Sequence, residues 1–533
     1  MKKSTIKIYG LLVVAGLMGM TACTKDFEKI NTDPVNYGPT NFDPNFNFST
    51  AQLTYTGSTD LAYETWRANL IYSGTMMQGL SSVVSYWAGD KYLLTPWYTS
   101  AYWERAYAEQ VKPIVDIVEL TRDKPQYKNL HNVARIWKVL IFARLTDLYG
   151  DVPYSEAGLG YYKGNLSAKY DKQQDIYMDM LKEVEAAMAV LDPAADQVTG
   201  DVIYKSDFEK WKRFGNSLLL RLAMRLTKVD DATAKSYVEK VAGKTMTSNA
   251  DNAFLKHDET GARITQNRNS QVLLGDGGQE HYYVKWSDTF INALKNSNDP
   301  RIKVAVTKLF LTPSEVDESD GSKKKNPNFV TDPAVQKGMP NGKDVNTNPL
   351  YAISAHPSFT TFPDYSSPHP GMIKRDGITF ILTYAESELL LAEAAQRWGI
   401  GGSAATHYKN GVKAGITFLG QYDAALAISE ADAEVYATAH PLTGGLSQIG
   451  LQYWIHQNTA LNFYETWSNW RRTGFPNLTP VVYPGNATNG TIPRRLPYPT
   501  AEEASSNSEY YKAASAAVPG GDNLSGRVWW DKQ

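Results

Sequence analysis

Apolar side chains recur at helical spacing in three consecutive stretches, and this periodicity most constrains what the chain can fold into. The first stretch covers 126–149, where a glycine and a proline end it. The second begins at Asp171, which we expect to be its N-cap, and the third begins at Ser206 and Glu209, which are spaced as a capping box. One apolar face per stretch predicts three amphipathic helices that pack in a core.

Helical patterns return later in the chain, at 378–398 and 403–418, joined by a glycine-rich turn. Their apolar stripes predict an antiparallel helix hairpin, and a further helix is expected over about 456–472. Recurring hairpins of this size favour tetratricopeptide-like stacking, although the consensus of that repeat is not cleanly present. We therefore predict a mainly α fold built on tetratricopeptide-like helix hairpins.

A loop-rich stretch, 243–377, interrupts the helical parts and is punctuated by Gly, Asn, Asp, Pro and Ser. Only 286–296 and 299–310 look regular within it. So long an irregular stretch in a compact protein is usually functional or a solvated insert. The predicted boundaries are one body over 51–533, divided into a helical core over about 51–242 and 378–475, the loop-rich insert over 243–377, and C-terminal loops over 476–533.

The N-terminus has the features of a bacterial lipoprotein signal peptide. A lysine-rich start precedes an uncharged apolar run, 8–18, which is shorter than the roughly 20 residues that a transmembrane helix needs. The small residues before Cys23 resemble a lipobox. Cleavage at a lipobox makes the cysteine the first residue of the mature protein, and its two or three acyl chains anchor the protein firmly in the membrane. We predict a signal peptide over 1–22, lipidation of Cys23 and an extended tether over 23–50. The alternative is an ordinary secretory signal with a chance cysteine.

Composition excludes several classes of protein. Cys23 is the only cysteine among 533 residues, so neither an internal disulfide nor a cysteine-rich metal site can form. The formal net charge is −2, which gives no electrostatic footprint for nucleic acid. No segment after the signal peptide approaches 18 uninterrupted apolar residues, so the lipid is the only membrane contact that the sequence predicts.

Catalytic motifs are missing from the sequence. It contains no His-Glu-x-x-His, no Gly-x-Ser-x-Gly, no Walker A loop and no Gly-x-Gly-x-x-Gly turn. Its eight histidines are scattered without the spacing of metal ligands. Paired carboxylates for glycoside hydrolysis stay open, because they need not be adjacent in sequence. We assign no catalytic residue, no metal and no cofactor.

Aromatic residues between 86 and 103 form the most telling pattern. Four of them lie among turn residues and are predicted as ligand platforms: Tyr86, Trp87, Tyr92 and Trp97. A helix core would instead space its apolar residues by three or four. Burial in the core is an equal alternative for each. Tyr102 and Trp103 lead into a helical stripe, so we expect them in the core.

Two further aromatic sets lie in the loop-rich stretch. Tyr282, Tyr283 and Trp286 follow a glycine-rich loop and are also predicted as ligand contacts. The other set is Phe359, Phe362 and Tyr365. Flat aromatic faces stack on sugar rings or on peptide side chains and leave hydroxyls free for hydrogen bonds. Neighbouring polar residues could supply the hydrogen bonds to such a ligand, with a solvated loop as the alternative for the last three: Asp90, Asn267, Arg268 and Asn269.

Several ordered motifs resemble the SusD/RagB family of nutrient-binding outer-membrane lipoproteins of Bacteroidetes. The motifs span nearly the whole chain: Cys23-Thr24-Lys25-Asp26-Phe27 with Asn31-Thr32-Asp33-Pro34; Arg144-Leu145-Thr146-Asp147-Leu148-Tyr149-Gly150; Trp211 with Asn216 and Arg221-Leu222-Ala223; Asp299-Pro300-Arg301; Tyr384-Ala385-Glu386; Trp470-Arg471-Arg472-Thr473-Gly474; and Ile492-Pro493-Arg494-Arg495. No single motif decides the match, but their order makes it strong. Arg144, Asp147, Asn216 and Arg221 are structural hallmarks in this resemblance and are not assigned to the ligand.

The resemblance implies a tetratricopeptide-like α fold whose variable, loop-rich half carries the ligand site. It also implies a SusC-like TonB-dependent transporter as partner, over which the lipoprotein closes as a lid. The charged residues behind the lipidated cysteine look similar to the signal that sends such lipoproteins to the outer face of the outer membrane: Lys25, Asp26 and Glu28.

We therefore expect a non-catalytic surface lipoprotein that captures a nutrient, an oligosaccharide before a peptide, and delivers it to the transporter. The alternatives are a surface glycan-degrading enzyme and a helical-repeat interaction module without a small ligand.

Overall fold

The computed structural model describes residues 42–59, 63–346 and 348–532. Cys23, the predicted signal peptide and most of the predicted tether lie outside these residues. The chain divides at Pro44, and Asn45–Gln533 is one compact unit. Among the described residues, no helix has the length and apolar character that crossing a membrane requires.

The end of the predicted tether is helical rather than extended. Helix α1 spans Pro44–Tyr55, and Phe48 and Ala51 on it are fully buried. The Phe48 ring lies 6.4 Å from Trp137 and 6.3 Å from Trp211, between ring centroids. The predicted tether boundary at residue 50 is therefore wrong. The Asn and Pro residues of this segment indicated an extended chain, but its apolar residues form a helix face that packs on the core.

Helices make up most of the described chain before residue 243. Two of them are π-helical, Thr65–Gly74 and Ala106–Val111. The α-helices after α1 are α2 Pro96–Thr99, α3 Ala101–Arg105, α4 Lys112–Thr121, α5 Lys128–Tyr149, α6 Gly160–Lys163, α7 Gln173–Ala189, α8 Phe208–Arg225 and α9 Asp231–Val241.

The later part of the chain has three helices in its loop-rich stretch and a second helical block behind it. These α-helices are α10 Arg268–Leu273, α11 Glu280–Tyr283, α12 Asp288–Asn296, α13 Tyr384–Trp398, α14 Ala404–Thr417, α15 Glu430–Ala439, α16 Gly445–Thr459, α17 Phe463–Thr473 and α18 Ser508–Ala517. Short 3-10 helices lie at Gly89–Lys91, Pro125–Tyr127, Leu226–Lys228, Asn249–Asp251, Ala262–Ile264, Pro300–Val304, Pro333–Val335, Ile353–Ala355, Phe362–Asp364, Phe418–Gln421, Ala424–Leu426 and Thr500–Ala504.

The strands are short and pair two by two. They are β1 Leu80–Ser82, β2 Val152–Pro153, β3 Tyr170–Asp171, β4 Ala253–Lys256, β5 Val284–Trp286, β6 Ala305–Val306, β7 Ser367–Pro368 and β8 Ile378–Leu382. The antiparallel pairs are β1 with β5, β2 with β3, β4 with β8, and β6 with β7. In the third pair Lys256 lies opposite Ile378, so the two ends of the loop-rich stretch run side by side.

Neighbouring helices pack as hairpins: α4 with α5, α8 with α9, α13 with α14, and α16 with α17. Helix α8 also packs on α7 and on α13 and so joins the two helical blocks. The apolar stripe predicted on α5 is buried throughout, from Leu130 to Leu148. Tyr102 and Trp103 are buried as well. The predicted mainly α fold with tetratricopeptide-like hairpins is confirmed.

Two predicted helix starts are displaced. Asp207, not Ser206, caps α8 by accepting a hydrogen bond from the Lys210 N–H at 3.0 Å. The Ser206 hydroxyl instead bonds to the backbone of Val198. Asp171 lies in β3, where its carboxylate accepts from a loop N–H at 2.7 Å, so Lys172 precedes α7. The side chain of each predicted cap residue bonds to a different segment of the chain instead of to its own helix. Sequence spacing does not predict such a contact.

The single helix predicted over 456–472 is also wrong. Helix α16 ends at Thr459, and α17 begins only at Phe463. Leu461 between them adopts a left-handed backbone, with a φ of +54°. A residue in that region cannot continue a right-handed helix, so the chain turns there.

Candidate ligand-binding site

Three of the seven predicted ligand platforms, Trp87, Tyr92 and Trp286, are fully buried. The Trp87 indole donates to Glu280 at 3.4 Å, and the Tyr92 hydroxyl accepts from the Val481 N–H at 3.0 Å. Burial raises the pKa of Tyr92 to about 12. Their rings offer no face to a ligand in this conformation, so we correct these three to core residues that hold the loops behind the site.

The four polar residues that could supply hydrogen bonds to a ligand are buried too. Asp90 pairs with Lys91 at 3.0 Å, and both side chains are shielded from solvent. Arg268 donates to four backbone carbonyl oxygens. Asn267 caps α10, and Asn269 bonds to another buried asparagine. Both interpretations of 267–269, ligand contact and solvated loop, are therefore wrong: this segment is a structural brace.

Four aromatic residues, of which only Trp97 is well exposed, surround one guanidinium. Arg67 lies 3.9 Å from the ring centroid of Tyr63, 5.0 Å from those of Trp66 and Trp97, and 5.1 Å from that of Tyr98. Each cation–π contact of this kind contributes about 0.5–1 kcal/mol at an exposed site. Trp97, at the start of α2, is 52% exposed. We call these five residues the Arg67 cluster.

Tyr86 extends the Arg67 cluster inward. Its ring lies 6.1 Å from that of Trp66, edge to face, and its hydroxyl donates to the carboxylate of Glu280. Burial raises the pKa of Glu280, and burial followed by the Glu280 charge raises that of Tyr86. Gly277 lets the glycine-rich loop lie against the same tryptophan, because a Cβ there would be 2.5 Å from the Trp66 ring.

A second group of half-buried aromatic residues combines two of the predicted sets. The ring of Phe362 lies 5.6 Å from Tyr282, 4.9 Å from Tyr283 and 5.4 Å from Phe359. We call these four residues the Phe362 cluster. Tyr365, from the same predicted set as Phe362, is buried beneath it.

Helix α11 joins the two clusters. It begins with Glu280, which binds Tyr86, and it carries Tyr282 of the Phe362 cluster. Lys285 follows in β5, with its Nζ 6.0 Å from the Tyr282 ring centroid and 2.8 Å from the Ser367 hydroxyl. Burial lowers the pKa of Lys285 to about 7. Nowhere in the described ranges do three or more His, Cys, Asp or Glu side chains lie together as metal ligands would.

A family model named SusD-like, described as starch-binding and associating with the outer membrane, matches residues 45–499. The chain belongs to the SusD-like family. The resemblance inferred from the ordered motifs is thereby confirmed.

Solved structures place this SusD-like chain among close structural relatives. A chitin-binding protein is 33% identical, with a TM-score of 0.78, and the match covers 92% of this chain and 100% of that chain. A SusD-like protein titled Bacteroidetes AC2a is 26% identical, with a TM-score of 0.77 and coverages of 92% and 100%. A chitin-binding SusD homolog from Flavobacterium johnsoniae shares the fold at 22% identity, with a TM-score of 0.70 and coverages of 92% and 98%. No curated protein sequence matches the chain.

The SusD-like hallmark residues brace the helical core. Arg221 pairs with Glu386 at 2.6 Å. The Arg144 guanidinium lies 3.7 Å from a tyrosine ring centroid. Asp147 accepts from the indole of Trp530 at 2.8 Å and so ties down the C-terminal segment. These contacts agree with the interpretation of the motif residues as structural.

The sequence did not single out Tyr63, Trp66 and Arg67. All three lie in or just before the π-helical segment Thr65–Gly74, and π-helical turns are frequent at functional sites. Periodicity offers no signal for such a segment, because the expected repeat is 3.6 residues. The sequence does show that Tyr63 and Arg67 are four residues apart, a spacing that places two side chains on the same face of a helix. In the structure Arg67 donates to the Tyr63 carbonyl at 3.0 Å.

Proposed function

We propose that this SusD-like protein is a non-catalytic surface lipoprotein that binds an oligosaccharide and delivers it to a SusC-like TonB-dependent transporter. The observation that carries the proposal is the exposed ring of Trp97, held beside Arg67 and three further aromatic rings. The description of the matching family, starch-binding and associating with the outer membrane, supports a glycan ligand and this location.

Stacking is the chemistry that the site favours. A sugar ring presents C–H groups on one face, and an aromatic side chain covers that face while the ring hydroxyls stay free. Trp97 provides such a surface in the Arg67 cluster, and the half-buried Tyr282 and Tyr283 provide them in the Phe362 cluster. The guanidinium of Arg67 has donors that match sugar hydroxyls. Tyr86 serves as a contact at the inner edge.

The position of Glu280, whose carboxyl group binds two of the aromatic residues, favours binding without catalysis. Glu280 is fully buried and shares one oxygen with the hydroxyl of Tyr86 and the indole of Trp87. A glycosidase needs two carboxyl groups that flank the scissile bond, about 5–10 Å apart. We therefore assign Glu280 to holding the aromatic residues in place. Release of cleaved sugar from any bound glycan would overturn the non-catalytic assignment.

The nutrient class is tested by isothermal titration with chitin, starch and cellulose oligosaccharides and with peptides. The relative titled a chitin-binding protein, at 33% identity, makes N-acetylglucosamine oligomers the first choice. Saturable binding of one glycan series and none of the peptides is the expected result. Binding of peptides alone would replace the glycan by a peptide nutrient and leave the delivery role standing.

The ligand face is tested with Trp97→Ala. We expect the affinity for the bound glycan to fall by ~1–3 kcal/mol, by analogy with the loss of one stacking platform under a base. The matched control is Tyr161→Ala, which removes an even more exposed aromatic ring, 91% accessible, from α6 outside both clusters. Equal affinities for wild type and Trp97→Ala would contradict the proposed face.

Trp87→Ala distinguishes between a structural role of Trp87 in the core and a role in stacking on the ligand. Because Trp87 is fully buried, we expect a loss of ~3–5 kcal/mol in the free energy of unfolding, measured by denaturant titration. A variant as stable as wild type, with weaker glycan binding, would restore Trp87 to the ligand face.

Anchoring and delivery are tested in cells. Cys23→Ala is expected to release the protein from the membrane fraction, because the acyl chains would have no attachment point. Affinity purification of the lipidated protein should recover a TonB-dependent transporter. Recovery without any barrel protein would count against the delivery role, while leaving glycan binding intact.

A further inference from the structure

A second cleft runs along the C-terminal segment. Two cavities, of about 540 and 190 Å³, share Pro519 and Arg527 among their lining residues and so adjoin each other. We call them together the C-terminal cleft. The walls of the larger cavity include Trp470, Leu478 and Ile492. Its volume lies within the range of roughly 300–1,000 Å³ that is common for small-molecule sites, and none of its lining residues belongs to the Arg67 or Phe362 clusters.

Positive charge exceeds negative charge at the junction of the two cavities. Arg494 binds both carboxylate oxygens of Asp531 and lies 4.7 Å from the Trp470 ring centroid. Arg527 contacts the same carboxylate at 2.9 Å. Two guanidinium groups thus share one carboxylate, and +2 − 1 leaves a net charge of +1.

Part of the Arg527 guanidinium has no partner among the described residues. Its side-chain hydrogen bonds both leave from Nη1 and end on Asp531. Nε and Nη2 remain, and they form the planar edge that binds a carboxylate through two parallel hydrogen bonds. Arg527 lines both of these mainly apolar cavities.

We propose that the C-terminal cleft binds an organic carboxylate with an apolar or aromatic body. The carboxylate accepts from Nε and Nη2 of Arg527 and neutralises the surplus charge. The body occupies the larger cavity against Trp470, Leu478 and Ile492, where burial of apolar area contributes about 25 cal/mol per Å². This site is independent of the proposed glycan face.

The test compares N-acetyl-L-tryptophan with N-acetyl-L-tryptophanamide, which carries an uncharged carboxamide in place of the carboxylate. Isothermal titration of the mature protein should show the acid binding at least about tenfold more tightly than the amide, because charge-assisted hydrogen bonds are the stronger class. Arg527→Gln should remove this preference. Arg527→Lys, which keeps the charge but loses the planar edge, should retain only part of it.

The control is Arg397→Gln, because Arg397 and Arg527 are almost equally exposed and each shares one carboxylate with a second arginine. Arg397 is 24% exposed and shares the carboxylate of Glu393 with a second arginine, as the 26% exposed Arg527 shares that of Asp531. This variant should leave the preference for the acid unchanged. Pro480→Asp, at an exposed position in the wall, should weaken binding of the acid more than of the amide without altering Arg527.

Equal binding of acid and amide, or no saturable binding of either, would overturn the proposal. So would a preference that survives Arg527→Gln. Glycan titrations on the same variants should match wild type, so a failure here is distinct from a failure of the proposed function.

Discussion

Three buried arginines of the helical core and two buried cations of the loop-rich stretch are held in different ways. In the helical core three arginines each form an ion pair with a glutamate at 2.5–2.6 Å: Arg221 with Glu386, Arg225 with Glu465, and Arg472 with Glu393. In the loop-rich stretch Arg268 donates to backbone carbonyls, and Lys285 donates to a serine hydroxyl.

The difference changes how firmly each cation keeps its proton. Burial lowers the pKa of Arg268 to about 10 and that of Lys285 to about 7, since neutral dipoles compensate the lost hydration only in part. Burial also acts on Arg221, but Glu386 and Glu465 outweigh it and raise the pKa. Arg221 therefore stays protonated near neutral pH, whereas the support of the aromatic face contains a lysine whose pKa lies there.

The largest effect is expected from breaking an ion pair of the helical core. Arg221→Met removes the cation and leaves Glu386 buried with Gln457 as its remaining hydrogen-bond donor. Loss of one partner of a buried pair costs about 3–5 kcal/mol, measured as the free energy of unfolding in urea. The double variant Arg221→Met, Glu386→Leu should recover most of this loss. A single variant within 1 kcal/mol of wild type would show that the pair does not stabilise the core.

Lys285→Met tests the loop-rich side of the comparison. Between pH 7 and 10.5 the unfolded chain keeps the Lys285 proton while the folded protein has lost it, so wild-type stability rises with pH. Below pH 7 both states hold the proton, and the cost of burying the charge is fully present. We therefore expect Lys285→Met to be more stable than wild type at pH 6.

This advantage should shrink by up to about 1.4 kcal/mol per pH unit above pH 7, in urea titrations at pH 6, 7.5 and 9. Lys163→Met, at an exposed lysine of α6, is the control and should show no pH-dependent difference. A constant difference between Lys285→Met and wild type across this range would rule out titration of Lys285 near neutrality.

The smallest effect concerns the exposed start of α8. Asp207→Ala should cost about 1 kcal/mol because it removes the N-cap hydrogen bond to Lys210. Glu209→Ala breaks only an exposed ion pair with Lys212, at 2.9 Å, and should cost less than about 0.5 kcal/mol. Thermal unfolding of both variants checks the order. The reverse order would favour the capping box predicted from Ser206 and Glu209.

Helices were predictable because their signal is local. The stripe from Leu130 to Leu148 carries its own periodicity, and every helix that packs on α5 needs that face. Cap positions were less predictable, since Ser206 bonds to Val198 rather than to its own helix. That choice depends on a neighbouring loop and not on spacing.

The aromatic residues show why the site was only partly predictable. Trp87 and Trp97 have the same kind of sequence neighbourhood, yet one is fully buried and the other is half exposed. The residue that covers Trp87 is Glu280, 193 positions later. Burial in a loop is decided by such distant partners, so aromatic content indicated the region and tertiary packing selected the exposed rings.

The pairing of β4 with β8 has a consequence for how such proteins diversify. It brings the ends of a stretch of more than a hundred residues to neighbouring strand positions, roughly 5 Å apart. The entropy of closing a loop grows slowly with its length, by about 0.6 kcal/mol per doubling. A different lobe, longer or shorter, can therefore replace 257–377 between the same two strands while α8 and α13 stay in place. A designer can graft the lobe of a relative at the same two strands, and such an exchange would replace the Phe362 cluster while keeping the Arg67 cluster.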